Sequence, residues 1–306
     1  MNESFGFLFP GQGAQYVGMG LDLYERFPAA RDVYDRAEDV LELPIKRVSF
    51  AGPEEELRQT RYTQPAILTH SIAVQAVLPG LKPVFGAGHS LGEYSALYAA
   101  GCFDFDSVLR IVKRRAELMF AEGERRPGAM AAIIGLDAPT VEKVCQEAQG
   151  VVVCANYNEP RQTVISGAPE AVQRAMELAR GKGAIKVVAL PVSGAFHSPL
   201  LEESAKDFAD YLEQFEIKPP AFPVIMNVTG KATTDINEIR HNLRQQLISP
   251  VRWVNVMETA RSMGCKRFLE LGPGQVLAGL AKRIDREFVV TSLGKAADIE
   301  RFRGEV

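Results

Sequence analysis

Apolar residues along this chain fall into short continuous runs separated by longer stretches of helical period. Residues 5–9 (FGFLF) and 84–87 (VFGA) are two such runs. The first is closed by Pro10-Gly11 and the second leads into a glycine-bracketed turn. Continuous apolarity over so few residues predicts a strand buried on both faces. Between the two runs, residues 21–43 are rich in helix formers at helical spacing and predict one helix. A second helix is predicted to open at Thr63-Gln64-Pro65, because proline in a first turn forgoes no hydrogen bond. It continues through Ile67, Leu68, Ile72, Val74 and Val77 and stops near Pro79-Gly80. Another helix is predicted over 93–100. Strands alternating with helices imply a parallel sheet covered on both sides.

The pattern changes after Arg126-Pro127-Gly128. A strand is predicted over 130–134 and a helix over 138–149, begun by Asp137 or by Pro139-Thr140. Strands over 151–155 and 163–166, a helix over 169–180 and a strand over 185–190 follow, up to the loop Val192-Ser193-Gly194. The order βαββαβ is the ferredoxin-like pattern, with two helices on one face of a four-stranded sheet. The predicted organisation is a large domain, 1–127 and 195–306, interrupted by a small ferredoxin-like domain, 128–194. Strands over 224–228 and 268–271 belong to the large domain.

The chemistry-bearing motif is Gly88-His89-Ser90-Leu91-Gly92, a GxSxG placed after a predicted strand and before a predicted helix. That context is a nucleophile elbow, where a tight turn presents the serine hydroxyl at a helix N-terminus. A Cβ at either glycine would crowd neighbouring backbone. The N–H of Leu91 would then face a developing oxyanion. The plainer reading is a serine that caps the helix. A serine hydroxyl needs a base, and His197 in Gly194-Ala195-Phe196-His197-Ser198-Pro199 sits at a junction between the two domains. His241 lies in a polar helical stretch, His70 among apolar neighbours and His89 beside the serine. No carboxylate is positioned by chain order to complete a triad, since Asp104 and Asp106 read as helix caps. The histidine is therefore expected to be oriented by a neutral acceptor such as a backbone carbonyl.

Arg115 stands in the middle of the apolar arc of the helix over 106–121, formed by Val108, Ile111, Val112, Leu118 and Met119. A guanidinium directed inward must meet an anion. Two partners are open: an internal Asp or Glu, or the carboxylate of a substrate held by the guanidinium fork. The loop Pro10-Gly11-Gln12-Gly13-Ala14-Gln15 follows the first strand. Tyr16 stands where a dinucleotide loop needs glycine, and no GK[ST] is present, so a role in bringing backbone N–H groups to the elbow fits better. Leu271-Gly272-Pro273-Gly274 is a further glycine loop and reads as structural.

Composition narrows the setting. The chain has 306 residues and a net charge of −3, which does not suit a nucleic-acid polyanion as partner. Its four cysteines and four histidines are dispersed without metal-ligand spacing, so no metal site is expected and reduced thiols in a cytoplasm are. The N-terminus lacks a basic leader, and no apolar run reaches membrane-spanning length.

The segments FPGQGAQYVGMG, TQPAI, GHSLGEYSAL, VKRRAELM, GAMAAIIGL, NEPRQTVISG, AFHSPL, PVRW and ELGPGQVL extend over nearly the whole chain. In this order they resemble the malonyl-CoA:acyl-carrier-protein transacylases and the acyltransferase domains of polyketide synthases. The resemblance implies an α/β-hydrolase-like large domain with a ferredoxin-like insertion. It implies Ser90 as the acylated nucleophile, His197 as base and acid, and Arg115 as the clamp for a malonyl carboxylate. Gln12 and Leu91 would supply the oxyanion N–H groups, and Gln246 would orient His197 through its carbonyl. Phe196 would fill the space that an α-methyl group needs. The implied substrates are malonyl-CoA and an acyl carrier protein; no cofactor beyond the coenzyme A thioester is expected, and a monomer is. Service to a polyketide synthase, or hydrolysis of an acyl thioester, are the alternatives. Lys266, Arg267, Lys282, Arg283 and Arg286 read as a surface for an acidic carrier or as ordinary solvated charges.

Overall fold

The computed structural model describes residues 4–192 and 194–305; Ser193, in the predicted boundary loop, lies outside them. The first apolar run forms β1 (Phe5–Phe9) and the second supplies β2 (Gly86–Gly88). With β7 (Val224–Ile225), β8 (Ala232–Thr233), β9 (Arg267–Leu271) and β10 (Val289–Leu293) they make a six-stranded sheet ordered β10-β9-β1-β2-β7-β8. All neighbouring pairs are parallel except β7 with β8. The unbroken apolarity of β1 has a direct cause. Phe7 and Phe9 pack into one core with Leu41, Leu68 and Val112, while Leu8 packs on the other face with Phe85, Trp253 and Phe268. A strand covered on both faces has no polar side to show.

Between the first and second halves of this sheet lies a second one, built from β3 (Ala129–Ile134), β4 (Val152–Glu159), β5 (Gln162–Gly167) and β6 (Lys186–Ala189). Its order is β4-β5-β3-β6 and every pair is antiparallel, the arrangement of the split βαβ pattern. Alternation along β3 assigns its faces: Ala131 and Ile133 pack under the helices Ala138–Glu147 and Pro169–Gly181, while Met130 and Ala132 join the core of the large sheet.

Several elements differ from the expectations. The single helix over 21–43 is two, Leu21–Arg26 and Pro28–Leu41. Pro28 holds Phe27 in extended backbone (φ −121°, ψ 113°), which ends the first helix. The helix expected from Thr63 begins at Thr60 and carries Pro65 inside it, forgoing one hydrogen bond to Arg61 O. It is buried nearly all round, so packing outweighs that loss. The strand over 224–228 stops at Ile225, because the chain turns at Met226, whose N–H donates to Lys231 O. Strands β8 and β10, at the two edges of the sheet, were not anticipated; the exposure of β10 alternates along its length. No helix among the described residues is long and apolar enough to cross a membrane.

Candidate active site

The site sits at the C-terminal edge of the parallel sheet, where β1 and β2 lie side by side in register Phe9↔Gly88. The chain leaves β2 through a turn in which Ser90 adopts a left-handed conformation (φ 51°), and the helix Gly92–Ala99 begins two residues on. A non-glycine residue there is strained and must be held by its surroundings. The two motif glycines make the turn possible. A Cβ on Gly88 would lie 1.9 Å from the carbonyl carbon of Gly92, and one on Gly92 would lie 2.0 Å from Phe9 O. Asn227, freed by the early end of β7, clamps the turn: its Oδ1 accepts from Ser90 N (2.7 Å) and its Nδ2 donates to Gly88 O (2.7 Å).

His197 is likewise left-handed (φ 56°) and 3% exposed. Its Nδ1 faces two carbonyl oxygens, Gln246 at 2.9 Å and Ser249 at 3.0 Å. Both can only accept, so Nδ1 carries the proton and Nε2 keeps its lone pair. That nitrogen lies 2.7 Å from Ser90 Oγ, the reach needed for proton abstraction. Burial, followed by the Arg115 charge, pushes His197 down to about 3, and the two carbonyls oppose this. The ring is thus neutral at pH 7.

The Arg115 side chain is fully buried. Its Nη1 donates to Gln64 Oε1 (2.6 Å), its Nε and Nη2 to Gln246 Oε1 (3.3 and 3.1 Å), and its Nη2 also to Ser90 Oγ (3.1 Å). The Tyr94 ring lies 5.4 Å from the guanidinium carbon. Among the described residues no carboxylate pairs with it within 4.0 Å, so of the two partners left open by the sequence, the internal ion pair is not formed. The nearest acid in the network is Glu93. It is fully buried, and its Oε1 accepts from Gln246 Nε2 at 2.8 Å. Burial pushes the Glu93 carboxyl up to about 7 against the pull of its hydrogen bonds and of Arg115.

Ser90, His197, Leu91, Gln12 and Phe196 line one small pocket of about 110 Å³, with Met130 and Asn156 contributed by the small sheet. Gln12, Leu190 and Val192 are shared with an outer groove of about 600 Å³, which also runs past Arg61 and Phe120. Among the described residues, the N–H groups of Gln12 and Leu91 find no acceptor in the chain. Gly194 leaves room for the Phe196 ring, which a Cβ would approach to 2.4 Å.

The remaining expectations divide. His241 is exposed; His70 is buried between Tyr34 OH (3.2 Å) and Gly294 O (3.0 Å); His89 meets Asn158 Oδ1 (2.8 Å). Asp104 caps its helix by accepting from Ser107 N, but Asp106 does not cap and instead pairs with Arg36. The basic residues offered for a carrier surface are not among those that line the pocket. Arg267 begins β9 opposite Phe5, Lys282 and Arg283 end the helix Val276–Ile284, and Val289 N donates to Lys266 O. Strand starts and helix ends share the N-terminal edge of a parallel sheet, whereas Ser90 is at the C-terminal edge. Gln64, Asn227 and Glu93 received no role from the sequence. Gln64 and Glu93 stood inside the quoted segments TQPAI and GHSLGE, and a buried amide and acid facing the Arg115 helix were the available signal.

A strained serine bound to a neutral histidine, beside unpaired backbone N–H groups and a buried cation, is the equipment of acyl transfer through a serine ester. The chain belongs to the acyl transferase domain family, which it matches over residues 6–298. It is 40% identical over 296 residues to the malonyl CoA-acyl carrier protein transacylase of Staphylococcus aureus (strain MRSA252), covering 96% of both chains. Identity to the Bacillus subtilis (strain 168) transacylase is 42% over 299 residues, 96% of this chain and 94% of that one. Among solved structures, the malonyl CoA-acyl carrier protein transacylase of Coxiella burnetii superposes with a TM-score of 0.95 at 40% identity, covering 98% of this chain and 96% of that one. A malonyl-transacylase in complex with a type II PKS acyl-carrier protein gives 0.95 at 40% identity, covering 99% and 100%.

Proposed function

We propose that this chain transfers a malonyl group from malonyl-CoA to the phosphopantetheine thiol of an acyl carrier protein, with Ser90 as the covalent carrier of the acyl group. Ser90 Oγ attacks the thioester carbonyl while its proton passes to His197 Nε2. The oxyanion rests on the Gln12 and Leu91 N–H groups, and collapse expels the coenzyme A sulfur, which takes the proton from His197. In the second half-reaction His197 accepts the proton of the carrier thiol, the sulfur attacks the ester, and Ser90 Oγ recovers the proton as it leaves. No cofactor enters these steps. The outer groove past Arg61 is the approach for either pantetheine arm, and Phe196 sets the size limit beside the ester.

One observation carries the reading: Ser90 Oγ is held by His197 Nε2 at 2.7 Å and by Arg115 Nη2 at 3.1 Å, and among the described residues that cation has no carboxylate partner. A substrate bearing a carboxylate two bonds from its thioester carbonyl suits both at once. The division into 1–127 with 195–306 and 128–194 belongs to the same reading, since Met130 and Asn156 of the small sheet close over the serine. A monomer suffices because one chain supplies every group named. Four free, buried thiols suit a cytoplasmic enzyme. We read the acceptor as the carrier of fatty-acid synthesis; the 40% identity to a transacylase caught with a type II PKS carrier favours a polyketide carrier as the second reading. Intact-mass measurement after mixing with malonyl-CoA should show a malonyl adduct that each carrier removes at its own rate. Adduct loss to water at the same rate with and without carrier would instead mark a hydrolase.

A further inference from the structure

The hydrogen bonds around Ser90 converge on a residue that touches none of the reacting atoms. Glu93 lies on the first turn of the helix after the elbow and is fully buried. Its Oε2 accepts from Asn227 N at 2.5 Å, and its Oε1 accepts from Gln246 Nε2 at 2.8 Å. Asn227 is the clamp on Ser90 N and Gly88 O. Gln246 presents Oε1 to Arg115, its second Nε2 proton to Ser90 O (3.1 Å), and its backbone carbonyl to His197 Nδ1.

We infer that Glu93 is a positioning residue that sets malonyl selectivity by fixing the amide orientation of Gln246 and, through it, the aim of the Arg115 guanidinium. The inference rests on the proposed reading of Arg115 as the carboxylate clamp. The logic is one of donors and acceptors. An amide has one acceptor end and one donor end. Glu93 and Ser90 O are both acceptors, so the NH2 end of Gln246 must face them and the oxygen end must face Arg115. A carboxylate is needed at 93 because two N–H donors converge on it. Glutamine there could accept from Asn227 or from Gln246, but not from both. If it accepts from Asn227, its own NH2 meets that of Gln246, and turning the Gln246 amide to relieve this sets NH2 against the guanidinium. If it accepts from Gln246, its NH2 opposes Asn227 N and loosens the elbow.

The test compares Glu93→Gln with the native enzyme for loading of Ser90 from malonyl-CoA and from acetyl-CoA, by rapid-quench intact mass spectrometry. The expected result is a fall of about tenfold in the malonyl-to-acetyl ratio of second-order rate constants, the loss of one well-made charge-assisted bond in the anchor. Gln246→Met, which keeps the carbonyl to His197 and deletes the amide, should lower the ratio similarly. The double variant should lower it no further than either single change, because both cut one link. If Glu93→Gln does not fold, Gln246→Met alone reads that link. A merely structural Glu93 would lower thermal stability and leave the ratio alone. That outcome, additive effects in the double variant, or an unchanged ratio in Gln246→Met would overturn the inference. Loss of selectivity in Arg115→Ala without loss in Glu93→Gln would overturn it while leaving the reading of Arg115 intact.

Discussion

Replacing Arg115 by alanine should convert a malonyl-selective site into one that barely distinguishes malonyl from acetyl thioesters. Of the guanidinium nitrogens, Nη1 and Nη2 donate to Gln64 Oε1 and Ser90 Oγ, two residues that line the pocket. A substrate carboxylate would take up to two charge-assisted bonds from this edge, each worth roughly 1.5–3 kcal/mol in a buried setting. Together that is about 3–6 kcal/mol, or on the order of 10²–10⁴ in the malonyl loading rate at about 1.4 kcal/mol per decade. Acetyl-CoA offers a methyl group there and loses nothing equivalent. Its rate should move less than about tenfold, reflecting only the loss of the Nη2 bond to Ser90 Oγ. Arg115→Lys keeps the charge but not the fork and should fall between. The substitution also strips donors from Gln64 and Gln246, so stability drops for reasons unrelated to substrate. The acetyl rate, taken on the same folded preparation in a rapid-quench loading assay, corrects for that. Malonyl and acetyl rates falling in equal proportion would refute the clamp and leave Arg115 as a packing element.

Ser90→Ala should abolish the malonyl adduct in intact-mass spectra; an adduct that survives removes Ser90 from the reaction. Because His197 is held down to about 3, the acid limb of acetyl-CoA loading, which makes no use of the Arg115 clamp, should lie well below the ordinary histidine range, with kcat/KM still flat at about pH 5.5; a limb near 6.5 would contradict the buried neutral ring. Folding stability should nevertheless fall on acidification below about 6.5. His70, held down to about 4, and His197 take up protons in the unfolded chain before the folded one, which outweighs the opposite contribution of Glu93, raised to about 7. Urea midpoints at pH 6.5 and 4.5 check the sign. Phe196→Ser should raise methylmalonyl loading relative to malonyl, and an unchanged ratio would separate Phe196 from selectivity.

The proposed nucleophile and base and the buried arginine were legible as candidates because each breaks a local rule. Ser90 stands between glycines where backbone must pass closely, His197 at a junction outside regular structure, and Arg115 in an apolar arc. What could not be read depends on contacts distant along the chain. Asn227 lies 137 residues from Ser90, and its role exists only because the strand before it stops at Ile225. Periodicity predicted a longer strand there, since nothing local announces the turn stabilised by Met226 and Lys231. Pro65 misled in the same way: its local preference for a helix start lost to the burial of the whole helix. Where the basic residues lie relative to the site was not legible for a topological reason. Lys282 and Arg283 follow the glycine loop after β9 closely in sequence, but the intervening helix runs back to the far edge of the sheet.

Among the described residues, the absence of a carboxylate behind His197 and the absence of one paired with Arg115 have a common physical sense. A buried cation facing a permanent anion would form a closed pair, and a malonyl carboxylate would then have to break it before binding. Here Gln64 and Gln246 aim the guanidinium with oxygen dipoles that orient it without neutralising it. Glu93, the acid in this network, is kept a residue away, with the Gln246 amide between it and the cation. An aspartate in the usual triad position would bring a second negative charge into the space occupied by the carbonyls of Gln246 and Ser249, adjoining the same guanidinium. It would raise the basicity of His197 while weakening the field available to the substrate carboxylate. Two neutral carbonyls fix the tautomer and leave the cation unspent. On the proposed reading, a transacylase for a charged acyl group exchanges part of the base strength of a hydrolase for an arginine whose charge remains open to its substrate.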